Sequence, residues 1–164
     1  MTTAQILLAE VLQEAKATRK LLSLVPFEKA DFKPHEKSMS LIRLAAHVAE
    51  ISGWWKECLV QDELDFSKGN FASNSYNSTE DILKLHDTLV AKAEVILANA
   101  KEEDFLKSWT MRNGDQIYFT QPKSQVVRTW CMNHLYHHRG QLNVYLRLLD
   151  ISLPEVYGPS ADNG

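Results

Sequence analysis

The chain has 164 residues, of which 45% are hydrophobic and 24% charged, the balance of a folded globular protein. Its net charge of −3 disfavours a nucleic-acid binder, because such proteins neutralise phosphates with basic side chains. Two cysteines, Cys58 and Cys131, are too few for a disulfide scaffold, although one bridge is possible. The amino-terminal segment lacks the features of a signal peptide, and no apolar run has the length of a membrane helix. We expect a cytoplasmic protein of one domain, residues 1–164, that binds no membrane.

Four long stretches have the residue spacing of amphipathic helices. They are Thr3 to Val25 (capped by Thr2 or Thr3), a stretch from Ser38 or Ser40 through residue 60, Glu80 to about Ala100 (capped by Ser78), and Lys123 to Leu149 after Pro122. Such stretches bury their apolar stripes against one another, so we predict an all-α four-helix bundle. The polar residues 61–79 form a long connection, which predicts a crossover or a loop that covers a site.

A short segment before the last helix has a different pattern. Asn113-Gly114 separates two groups of β-forming residues, 109–111 and 117–120. Asn-Gly in this position favours a type I′ turn, which needs a positive φ at both residues. We therefore predict a small hairpin insertion, and a sheet of three or more strands would contradict the all-α class.

The densest chemical cluster is HLYHHRGQ, residues 134–141. Residues four apart on an α-helix share a face, so His134 and His138 can offer two imidazoles to one ion. His137 is the competing partner, but it lies at the edge of the predicted core-facing stripe. That stripe contains Val127, Trp130, Cys131, His134, His138, Gln141, Tyr145 and Leu148. We predict that His134 and His138 are the pair.

His47 is the natural third ligand. It lies beside Leu44, Ile51 and Trp54 on one helix face, where an unpaired imidazole is costly to bury. Catalytic zinc sites commonly have three protein ligands and an open position. The alternative is a core histidine held by a hydrogen bond. Three histidines do not choose among Zn, Ni, Cu and Fe.

Two further histidines, His35 and His86, lie in a loop and on a polar helix face, and we expect both to be solvated. Cys131 is interpreted as a small buried hydrophobic residue. The pair Trp54-Trp55 is interpreted as core and interface filling rather than as a substrate platform.

Catalytic residues are not assigned by the pattern, and three candidates are Gln141, Glu50 and Arg139. Gln141 follows His138 by three residues and can orient a ligand or a bound water, or form an ordinary amide hydrogen bond. Glu50, three residues after His47, is the near carboxylate that a metal hydrolase needs as a base. Arg139 and Arg43 can bind acidic groups of a cosubstrate, or can be ordinary surface or interface arginines.

Three strings in this order, KPHEKSMSLIRLAAHVAE, NHLYHHRGQL and YGPSAD, resemble the DinB/YfiT-like superfamily, and the resemblance runs from about Ile6 to Asp162. It implies a four-helix bundle, often a homodimer, with a divalent metal ion, nickel or zinc, held by three histidines. That pattern maps onto His47, His134 and His138, in agreement with the spacing.

The resemblance also implies a function. Related proteins include metal-dependent transferases and isomerases that use low-molecular-weight thiols such as bacillithiol, mycothiol or glutathione. We therefore expect a small-molecule substrate and a thiol S-transferase acting on small electrophiles. The alternatives are a metal hydrolase and a non-catalytic metal-binding structural or stress-response module. A homodimer is also expected because one thin bundle does not readily bury large aromatic side chains such as Trp54, Trp55 and Trp130.

Overall fold

The computed structural model describes residues 1–69 and 75–162, and this part of the chain is mostly helical. The helices are α1 (Thr3–Leu22), α2 (Leu41–Ile51), α3 (Thr79–Asn99), α4 (Glu102–Leu106), α5 (Lys123–Val126) and α6 (His134–Leu148). The strands are β1 (Glu63–Asp65), β2 (Ser108–Asn113) and β3 (Gln116–Pro122). Two π-helical segments, Lys56–Val60 and Val127–Asn133, and one 3₁₀ turn, Phe27–Lys29, complete the regular elements.

The starts of the three long helices α1, α2 and α3 lie where the sequence predicts them. The Thr2 hydroxyl accepts a hydrogen bond from the Gln5 backbone, and the Gln5 side chain accepts one from the Thr2 backbone. Ser40 and Ser78 cap α2 and α3 by accepting from backbone N–H groups three residues later. Each cap satisfies a backbone donor that has no partner inside its helix.

The second helix ends earlier than predicted, because α2 stops at Ile51 and a π-helical segment follows after a short irregular turn. At the turn lies Gly53, where an added Cβ would be 3.0 Å from Leu89 of α3. The turn therefore brings the chain so close to α3 that a larger residue would require the Leu89 side chain to shift. This close approach gives the glycine a packing reason inside an otherwise helical stretch.

The last helical stretch is also not one uniform α-helix. The π-helical segment Val127–Asn133 separates α5 from α6, and its wider turns change the direction in which successive side chains point. One stripe at 100° per residue therefore does not run through the whole stretch. Cys131 and Tyr145 are buried as predicted, but Leu148 is 55% exposed.

The all-α prediction must be corrected, since the chain contains a three-stranded sheet of order β1-β2-β3. The predicted hairpin is present as the antiparallel pair β2–β3, and β1 adds to it in parallel. The three residues of β1 are too few to show an alternating pattern. They are held in place by Asp65, whose carboxylate accepts hydrogen bonds from the Ser67 backbone and hydroxyl and from the Gly114 backbone.

The hairpin turn differs from the predicted type. Asn113 pairs with Gln116, so the two turn residues are Gly114 and Asp115. Gly114 has a φ of 58°, whereas the second residue of this turn, Asp115, does not have a positive φ. One glycine with positive φ at the first central position is the signature of a type II′ turn rather than type I′.

The packing of the helices brings α2 between α3 and α6, while α1 lies along α3. One apolar cluster fills the space among α1, α2, α3 and α6, and a second lies around the π-helical segments and the sheet. Across the described ranges, no helix combines the length and the apolar character that crossing a membrane requires. The contact between α2 and α6 is what places His47 opposite the histidines of α6.

Candidate metal centre

The three predicted histidines come together between α2 and α6. One ring nitrogen from each of His47, His134 and His138 lies within 4.8 Å of the other two. The Nε2 atoms of His47 and His134 are 3.1 Å apart, and the ring centroids of His47 and His138 are 4.5 Å apart. Zn–N bonds of about 2.0–2.1 Å place nitrogens of one ion about 3–4 Å apart, so the arrangement is compatible with a metal ion.

Two of the three rings each have an oxygen partner from outside the group. The Nδ1 atom of His138 is 2.7 Å from Oε1 of Gln141, so Nδ1–H donates to the amide and Nε2 is left with its lone pair. On the other helix, Oε2 of Glu50 is 3.8 Å from Nδ1 of His47, within ion-pair distance. Such partners fix the tautomer and orientation of metal-ligating histidines.

Glu50 is itself held firmly. Its Oε2 accepts a hydrogen bond from Arg43 at 2.9 Å, and its Oε1 accepts one from the hydroxyl of Tyr76 at 3.0 Å. Burial raises the pKa of Glu50, but the neighbouring His47 ring and the hydrogen bond from Arg43 outweigh it and bring the pKa below its ordinary value. Glu50 is therefore an anion on the Nδ1 side of His47, and Arg43 is engaged with it.

The rings of α6 are kept neutral by their surroundings. Burial and the neighbouring imidazoles of His138 and His47 lower the pKa of His134 to about 4. Burial also lowers the pKa of His138, against the opposing effect of its hydrogen bond to Gln141. Neutral imidazole is the form that binds a metal ion.

Two tryptophans complete the surroundings of the group. Trp54 approaches His134 with ring centroids 4.9 Å apart, and Trp130 stacks on the same ring at 5.7 Å with an interplanar angle of 26°. Trp55, in contrast, is 2% exposed and belongs to the core. The shared prediction for Trp54-Trp55 thus holds for Trp55, whereas Trp54 touches the candidate site. The helical spacing carried a signal for this difference, because it places Trp54 on the same helix face as His47.

Arg139, a candidate from the sequence, lies elsewhere. Its guanidinium forms a buried ion pair with Glu14 of α1 at 2.6 Å and donates hydrogen bonds to Thr18 and to the hydroxyl of Tyr157. The structure therefore brings Arg139 to α1 and the carboxyl-terminal tail. His137 is exposed, its Nε2 is 3.1 Å from Nε2 of Gln141, and it is outside the three-histidine group.

The prediction for His86 is wrong. Its side chain is 2% exposed, and its Nε2 has no hydrogen-bond partner within the described residues. The reason is that α3 packs against both α1 and α2, so a second face of this helix is buried. His35 is exposed as expected, and Cys131 is a buried free thiol whose pKa burial raises.

Comparison with known proteins identifies the family. The DinB family model matches residues 1–163. The chain belongs to the DinB family. Among solved structures, a DinB-like protein of Bacillus subtilis (YjoA) is similar with a TM-score of 0.70 and 21% identity, over 91% of this chain and 96% of that one. A DinB-like protein of Bacillus cereus has a TM-score of 0.68 and 20% identity, over 92% and 95%.

No curated protein matches the chain. At these identities, the two Bacillus structures support a DinB-like fold and nothing about chemistry. The function must therefore be argued from the side chains around the three histidines.

Proposed function

We propose that this DinB-family protein is a divalent-metal-dependent enzyme in which His47, His134 and His138 hold the ion. The observation that carries the proposal is the convergence of three imidazole nitrogens within 4.8 Å. Three imidazoles placed this close repel one another when protonated, and a bound cation gives their facing nitrogens a common partner. We propose nickel or zinc as the ion, since neutral histidine is a good ligand for both.

The residues present fit such an ion. Gln141 occupies Nδ1 of His138 and Glu50 lies beside Nδ1 of His47, which leaves Nε2 of each ring for the ion. Within residues 1–69 and 75–162, no fourth His, Cys, Asp or Glu belongs to the group. Three protein ligands without a fourth favour a catalytic site over a closed structural one.

The chain's own residues would position and enclose the reacting groups. Glu50, fixed by Arg43 and Tyr76, holds His47, while Gln141 holds His138. Trp130 covers one face of His134 and excludes water from it. When bound, a divalent ion at such a site acts as a Lewis acid that lowers the pKa of a coordinated nucleophile.

We further propose that the nucleophile is a low-molecular-weight thiol and the reaction its transfer to a small electrophile. A thiol has an ordinary pKa of about 8.5, so it needs far less activation than water at neutral pH. A hydrolase would favour a free carboxylate base, but the near carboxylate, Glu50, lies on the Nδ1 side of His47 and is bonded to Arg43. This placement supports a positioning role for Glu50 and, with it, the transferase over the hydrolase.

The metal proposal is tested by metal analysis and calorimetric titration of protein made without an affinity tag. His47→Ala and His138→Ala should abolish tight binding of Ni or Zn. His137→Ala is the matched control, an exposed histidine on the same helix, and should bind as the wild type does. Stoichiometric metal in a His134→Ala/His138→Ala double variant would contradict the assignment.

The reaction is tested by incubating metal-loaded and metal-free protein with glutathione, bacillithiol or mycothiol and a panel of electrophiles. Mass spectrometry should detect a thiol conjugate that forms only with loaded protein. Cleavage of an ester or amide without any thiol would instead support a hydrolase. Binding of metal with a filled coordination shell would support a structural module.

A further inference from the structure

A large apolar groove lies between the end of α2, α3 and the sheet. It has a volume of about 1440 Å³, enough for a drug-sized molecule. Its lining includes Trp54, Leu85, Leu89, Ile96, Trp109 and Trp130. At its rim, Val60 and Val95 are 59% and 62% exposed. A concave and mostly apolar pocket is the usual form of a small-molecule site.

The groove adjoins the candidate metal centre through shared side chains. Trp54 and Trp130 line the groove, and both contact the ring of His134, at centroid distances of 4.9 and 5.7 Å. Glu50 also lines the groove and lies within ion-pair distance of His47. A molecule in the groove is therefore separated from the histidines by a single layer of side chains.

The charges in the groove do not select an ion of either sign. The lining residues include two lysines, Lys56 and Lys92, and two glutamates, Glu50 and Glu57. With no net charge facing the space, the ligand that best fits is neutral and apolar. Desolvating a charged ligand against tryptophan and leucine side chains would be costly.

We propose that the groove binds the apolar part of a neutral, hydrophobic small-molecule substrate and places its reactive end against Trp54 and Trp130, the lining side chains that contact His134. The claim that this ligand is a substrate rests on the proposed metal-dependent function. The concave shape of the groove favours a small molecule over a second copy of the chain.

The binding claim is tested on the full, metal-free chain with N-phenyl-1-naphthylamine, a neutral fluorescent probe. Ala91 and Ala98 provide a matched pair, because both are exposed on α3 and only Ala91 lines the groove. We expect one probe site per chain. Ala91→Glu should lower the affinity for the probe about ten-fold, because it places a carboxylate against the apolar ligand. Ala98→Glu should leave the affinity for the probe unchanged. Equal affinities of the two variants would overturn the proposal.

The location claim is tested by NMR of the histidine rings. Saturation with the probe should shift the Cε1–H resonance of His134 and leave that of His35, which lies in an exposed loop, unchanged. Binding without a shift at His134 would overturn the substrate assignment. Both measurements use metal-free protein, so their outcome does not depend on whether the three histidines bind a metal ion.

A second copy of the chain is the competing occupant. Sedimentation should give the same association state for the wild type and for Ala91→Glu, whether that state is a monomer or the homodimer expected from the sequence. A dimer that Ala91→Glu dissociates would show that the groove is an interface between copies, and would overturn the proposal.

Discussion

The hydrogen bond between His138 and Gln141 provides a quantitative test of the proposed metal centre. Nδ1 of His138 donates to Oε1 of Gln141 over 2.7 Å, which directs the lone pair of Nε2 toward the other two histidines. Gln141→Leu removes the acceptor and keeps the approximate size of the side chain. The ring is then free to rotate and to adopt the other tautomer, so metal affinity should fall.

The size of the effect follows from the exposure of Gln141. Loss of such an orienting partner typically lowers metal affinity about 10–100-fold. The Gln141 side chain is exposed, so water can replace part of the lost acceptor and the effect should lie near the lower end. We expect Gln141→Leu to weaken Zn binding about ten-fold, which corresponds to about 1.4 kcal/mol. Gln141→Glu keeps an oxygen acceptor and should bind Zn at least as tightly as the wild type.

Competition titration against a chromophoric chelator measures these affinities. Gln125→Leu is a suitable control, because Gln125 is exposed on α5 and outside the three-histidine group. Circular dichroism should show that all variants are folded. If Gln141→Leu binds Zn as tightly as Gln125→Leu does, the orienting role of Gln141 is refuted.

Three further predictions concern stability, each measured by urea denaturation. Arg139→Met should cost about 3–5 kcal/mol, because it leaves the buried carboxylate of Glu14 unpaired; the Glu14→Leu/Arg139→Met double variant should recover most of the loss, and no recovery would refute the pairing. Burial lowers the pKa of His86, so the unfolded state binds more protons below pH 6.5 and stability should fall as the pH drops. His86→Leu should reduce that slope between pH 6.5 and 5, and an unchanged slope would contradict the assignment. Gly114→Ala should lower the free energy of unfolding by about 1–2 kcal/mol, because φ is positive at this position. An unchanged free energy of unfolding would show that a side chain at this position does not strain the turn.

The ligand pair on α6 was accessible from the sequence for a local reason. His134 and His138 are four residues apart in one regular helix, and the π-helical segment ends just before them at Asn133. Had that segment extended one turn further, the i, i+4 relation would no longer have placed both rings on one face. Helical geometry also predicts that His137 is not a ligand, because it places this residue at the edge of the core-facing stripe.

Other expectations failed where burial depends on more than one neighbour. His86 was assigned to a polar face, but α3 is covered on two sides by α1 and α2. Leu148 was assigned to the core from its place on the helical stripe, but it is the last residue of α6 and is 55% exposed. The strand β1 was missed because it has three residues and pairs with a partner more than forty positions away in the chain.

The sequence by itself determined the starts of the main helices, the hairpin and the spacing of His134 and His138, since each depends on a few adjacent residues and their backbone preferences. Only the tertiary structure decided that His47 meets those two rings, that Glu50 lies beside its Nδ1 atom, and that Arg139 is paired with Glu14 instead of facing the site. These relations depend on how α2 and α1 are rotated and placed against α6. That rotation is set by the summed packing of many side chains across the core, and no short segment of the chain encodes it.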